Sequence, residues 1–111
     1  MKPTIIESPF AGDVEANVKY ARLCMRDSLM RGESPYASHL LYTQPNVLDD
    51  NIPSERELGI NAGFEWKHMK GVHTVFYIDK GWSSGMQQAF CYCVKHRLPW
   101  SVRILKGYSN V

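Results

Sequence analysis

Short β-branched runs alternate with amphipathic stripes along the whole of this 111-residue chain, which confines the fold to a few α/β architectures. Thr4 to Ser8 reads as a first strand, ended by Pro9. Asp13 is placed to cap a helix from Val14 to about Arg31. Val14, Val18, Ala21, Met25 and Leu29 form its apolar stripe, and Gly32 ends it. Pro35 to His39 gives a brief second strand. Leu40 to Asn51 has no clear period, and long loops in small domains are often functional. Ser54-Glu55-Arg56-Glu57 matches a capping box after Pro53 and opens a helix whose inner stripe is Leu58, Ala62, Trp66 and Met69. Gly71 closes it. A third strand runs through Val75 to Ile78, a third helix from about Ser84 to His96, and a last strand through Ser101 to Leu105.

The resulting βαβαβαβ pattern predicts one Rossmann-like domain over residues 1–111. Its sheet is expected to be mainly parallel, four-stranded and ordered 2-1-3-4, with right-handed crossovers and helices on both faces. A chain of this length buries roughly two-thirds of its unfolded surface, enough for a single core. In this order a crevice opens between the first and third strands, and ligands bind open α/β sheets outside the carboxyl ends of such strands.

Composition removes several function classes. No apolar run approaches the roughly 18 residues of a membrane span, and the amino terminus lacks a signal-peptide pattern. The expected location is therefore the cytoplasm. Thirteen basic residues stand against eleven acidic ones, a net charge of +2 that does not imply nucleic-acid binding. Cys24, Cys91 and Cys93 lack zinc or redox spacing and read as buried thiols. No metal and no cofactor are expected.

Three loops should meet at the carboxyl edge of the sheet: Ser8 to Asp13, Ser38 to Asp50, and Gly81 to Gln87. The amides of Ser84, Gly85 and Met86 would form the exposed amino end of the third helix, where free donors and the helix dipole favour phosphate. Ser83 or Ser84 also suits a helix cap, and a cap and an anion site use different donors. Phe10 and Trp82, each near a glycine such as Gly12, could sandwich a ring or serve as lids over the core. Asp49 and Asp50 could accept hydrogen bonds from ribose hydroxyls, Gln44 could read a base edge, and His39 could contact phosphate or ribose. Arg56 is placed either to clamp a phosphate or to pair with a surface acid. Asn17, one turn beyond Asp13, is within reach of the same ligand.

The corner Gly85-Met86-Gln87, together with the element order, resembles the nucleoside 2-deoxyribosyltransferases and related nucleotide N-glycoside hydrolases. In that family a Glu at this corner is the nucleophile. Here Gln87 stands in its place, and an amide cannot supply the attacking carboxylate. Ser8 to Asp13, Asn17, Tyr20 to Arg22, Cys24, Ser38 to Gln44 and Leu48 to Asp50 further resemble a domain family of phages and bacteria with similar architecture. The resemblance implies a nucleotide pocket without the usual catalytic residue. Small Rossmann-like phage proteins of this type are similar to viral sponges, which sequester nucleotide second messengers of antiviral defence. By that comparison the ligand would be a nucleotide or an ADP-ribose derivative, bound intact in the host cytoplasm. The alternative is a hydrolase or transferase in which Asp49, Asp50 or Asp79 replaces the missing carboxylate. Trp66, Trp82 and Trp100 suit self-association, so a homo-oligomer is expected.

Overall fold

The computed structural model describes residues 1–108. It contains strands β1 (Lys2–Glu7), β2 (Glu33–Tyr36), β3 (His73–Tyr77) and β4 (Trp100–Arg103), with helices α1 (Val14–Met30), α2 (Ser38–Leu41), α3 (Pro53–Glu65) and α4 (Ser84–Lys95). A single 3-10 turn, Trp66–His68, extends α3. The strands form one sheet in the order β2-β1-β3-β4. All three pairings are parallel, with Ile5 beside Tyr36, Ile6 beside Val75 and Phe76 beside Val102. This is the expected Rossmann-like α/β arrangement.

The two inner strands explain the order. Thr4, Ile5 and Ile6 of β1 and Thr74 to Tyr77 of β3 are all buried, as strands covered on both faces require. On one face Ile6, Val75 and Tyr77 pack with Tyr20 and Cys24 of α1. On the other, Phe76 packs with Met86, Ala89 and Cys93 of α4, with Phe64 of α3 against them. Truncating a core aromatic such as Phe76 to Ala typically costs about 3–5 kcal/mol.

Asp79, just beyond β3, ties these layers together. It accepts from the Tyr20 hydroxyl at 2.6 Å and from the Leu105 amide at 3.1 Å. It joins α1, β3 and the segment after β4.

Several local expectations are corrected. The second strand is Glu33–Tyr36 and stops before His39, which lies on α2 instead. A strand holding Pro35 is tolerated because β2 is at the sheet edge. The inner face of α1 is Asn17, Tyr20, Ala21, Cys24 and Ser28, while Val14 and Leu29 are exposed. Polar residues with internal partners displaced the apolar stripe. Ser54 does not cap α3: the cap position is Ile52, without a side-chain bond, and Pro53 supplies the first turn. Leu58, Trp66 and Met69 are exposed, whereas Gly63 and Lys67 are buried. Cys91 is exposed, unlike Cys24 and Cys93. The caps of α1 by Asp13 and of α4 by Ser83 are as expected.

Candidate functional site

Above the carboxyl end of β1, a crevice of about 110 Å³ lies between the β1 loop, α2, α3 and the start of α4. It opens beside a groove of about 700 Å³ bordered by Phe10 to Gly12 and by the segment Thr43 to Asn51. Phe10, Ala11, Asp50 and Arg56 line both spaces. The two therefore share one wall.

The back of the crevice is built by Ser8 and His39. Ser8 is buried, and its hydroxyl oxygen lies 2.9 Å from His39 Nε2. Close packing of α2 on α3 fixes this position: a Cβ on Gly63 would sit 2.9 Å from Ser38 Oγ, too near for any larger residue. Burial pushes the His39 pKa below its ordinary value, against the opposing pull of the Glu7 and Asp50 carboxylates. A neutral imidazole follows at pH 7. The Phe10 ring stands 6.0 Å from the His39 ring, tilted by 60°.

Arg56 forms the shared wall, with Nη1 donating to Asp50 Oδ2 at 3.1 Å. Its surface-pair reading thus holds, with Asp50 as the acid, yet the guanidinium still borders both spaces. Its guanidinium keeps donors beyond that bond, in a fork that matches two oxygens of one oxyanion.

The opposite wall is the start of α4, where Ser83, Ser84, Gly85 and Met86 line the crevice. The Met86 amide donates to Ser83 Oγ at 3.1 Å, which removes it from the expected set of phosphate donors. The Met86 side chain belongs to the core. Ser84 and Gly85 occupy the first helical turn, whose amides have no carbonyl one turn back.

Other expected site residues have different duties. Asn17 is buried, and its amide donates to the Phe10 and Ala11 carbonyls at 3.0 and 3.1 Å. Its carbonyl accepts from Lys80 at 2.6 Å. Asn17 shapes the β1 loop from beneath. Asp13 caps α1 through the Ala16 amide. Gly12, Gln44 and Asp49 border the groove. Gln44 donates to the Leu40 carbonyl, and Asp49 accepts from the Asn51 amide in a turn.

Two expectations fail on position. Trp82 packs against Phe76 and Phe90, with ring centroids 5.0 and 5.7 Å away, and lies outside the lining of both spaces. It cannot sandwich a ring with Phe10 in this arrangement. Gln87 is exposed and likewise outside that lining, because α4 turns its Met86 side inward.

One ion pair at the crevice escaped the sequence reading. Glu7 lines the crevice and accepts from Lys67 Nζ at 2.9 Å, with the lysine side chain 1% exposed. A charge so enclosed requires its partner. Glu7 fell within the first strand read from the sequence, but Lys67 lay outside the inner stripe of Leu58, Ala62, Trp66 and Met69.

Among the described residues, no group of three or more His, Cys, Asp or Glu side chains is arranged to hold a metal ion. No helix there is long and apolar enough to cross a membrane. The chain belongs to the family described as Domain of unknown function (DUF7768), whose model matches residues 2–103. No curated protein and no solved structure matches it.

Proposed function

We propose that this DUF7768 protein binds a nucleotide or ADP-ribose-like molecule without cleaving it, in the manner of a sponge that sequesters a signalling nucleotide. The observation that carries the reading is the position of Arg56. It stands between a small crevice, edged by Ser8, His39 and the amino end of α4, and a larger groove edged by Phe10, Gln44 and Asp49. A phosphate in the crevice would meet the guanidinium and the first-turn amides of α4 together. The ribose and base would lie along the groove.

The non-catalytic part rests on the state of the carboxylates. Both acids lining the crevice are ion-paired, Glu7 with Lys67 and Asp50 with Arg56, and each pairing reduces the nucleophilicity of the oxygen. The test is mass spectrometry of small molecules released by heating protein purified from cells with active nucleotide-based defence. An intact phosphorylated nucleoside derivative is expected in the supernatant.

A second reading, an N-glycoside hydrolase or transferase, draws on the same two acids, because each borders the crevice. Turnover of a nucleoside or nucleotide by the wild-type chain, abolished by Glu7→Gln or Asp50→Asn, would select it.

A further inference from the structure

We infer that the edge of β4, unpaired among the described residues, is a docking strand for an extended, acidic and apolar segment of another protein. The two edges of the sheet differ. β2 carries Pro35 and the ion-paired Glu33, features that discourage strand addition. β4 carries neither. Thr74 N donates to Pro99 O and Ile78 N donates to Arg103 O, so residues 99, 101, 103 and 105 turn their backbone groups toward β3. By strand alternation, Trp100, Val102 and Ile104 turn theirs outward. These three residues are 43%, 43% and 62% exposed.

Charge identifies the partner. No Asp or Glu follows Asp79 in the sequence, whereas Lys95, Arg97 and Lys106 flank the strand. All three are exposed, and none pairs with a carboxylate among the described residues. Arg103 does not belong to this group, since it is held by Glu33. A second copy added antiparallel about Val102 would bring Lys106 beside the partner's Arg97, like against like. An incoming strand with acidic ends meets the opposite sign and still fills the outward backbone positions.

The test uses the full chain and three short synthetic peptides: a Val/Thr strand with Asp and Glu at both ends, the same strand with Lys ends, and the acidic strand with a central Pro. Tryptophan fluorescence reads binding, and hydrogen exchange reads the amides of Trp100, Val102 and Ile104. The acidic strand is expected to bind on the order of tenfold more tightly than the Lys-ended one, with the gap closing as salt rises, and to protect those three amides. The Pro-containing strand should not protect them. Val102→Pro removes an outward N–H without touching the β3 ladder, and should abolish binding with the melting transition retained. Arg97→Asp with Lys106→Glu should reverse the peptide preference, and Arg97, in the left-handed region at φ 55°, occupies a conformation Asp accepts. Four results would overturn the inference: equal affinity for both charged peptides, no saturable binding, tighter binding of oligothymidylate than of the acidic strand, or a wild-type dimer whose β4 amides are already protected.

Discussion

Ser8 Oγ and His39 Nε2 lie 2.9 Å apart, and this contact joins the carboxyl end of β1 to α2 at the back of the crevice. Ser8→Ala leaves the buried imidazole without that partner, which typically costs about 1–3 kcal/mol. Urea denaturation should show a lower midpoint at an unchanged slope. An unchanged midpoint would mean that the contact contributes nothing to stability.

The same histidine sets a pH dependence. Burial holds His39 and His73 below their ordinary pKa of 6.5, so the unfolded chain takes up protons first as pH falls. Stability should therefore decline from about pH 7 toward 5, by at most about 1.4 kcal/mol per pH unit for each histidine. Glu33 adds a second, more acidic decline. Its two hydrogen bonds from Arg103 hold its pKa at about 2, against 4.5 for the free group, so its contribution is present above 4.5 and lost as pH drops through about 2. Denaturation curves at several pH values would reveal both windows, and His39→Gln should flatten the upper one. A flat profile between pH 7 and 5 would contradict this account of the histidines.

Thiol reactivity should divide the three cysteines. Burial pushes the Cys24 thiol up to about 12 and raises that of Cys93, while Cys91 is exposed. Because the thiolate is the reactive species, a thiol reagent should modify Cys91 alone in the native protein and all three residues after unfolding. Rapid native labelling of Cys24 would show that α1 is not packed as described.

Gln87 provides a positional test. It is exposed and outside the crevice lining, so Gln87→Glu should leave nucleotide affinity within about twofold, consistent with the small effects of surface substitutions. It should also confer no cleavage. Nucleoside hydrolysis gained by this substitution would place residue 87 at the reacting centre after all.

The sequence showed most clearly what burial on both faces dictates. β1 and β3 were recognisable from Ile5-Ile6 and Val75-Phe76 because central parallel strands are continuously apolar, and their order followed from the crossovers. β2 was displaced by about two residues because a four-residue edge strand containing Pro35 carries little pattern. α2 was missed because a single helical turn has no period. The inner face of α3 was misread because Gly63 and Lys67 occupy it, one for its lack of a side chain and the other through Glu7, sixty residues away. Ser8, His39 and Asp50 were legible as members of loops bound for one edge, and Arg56 as a residue at the start of the helix that follows. Trp82 was not placed correctly because loop membership says nothing about which way an aromatic ring turns.

The central claim is that a phosphate sits between Arg56 and the amino end of α4, and calorimetric titration of ADP-ribose into the wild-type chain and Gly85→Asp tests it most directly. A Cβ at Gly85 has only Ser83 Oγ within 4 Å, at 3.9 Å, and an acid in a first helical turn favours the helix, so the variant should fold. Saturable binding to the wild type that falls by an order of magnitude or more in the variant, as expected for a carboxylate facing a phosphate, is the predicted result. Equal affinity in both folded proteins, or no binding to either, would contradict the claim.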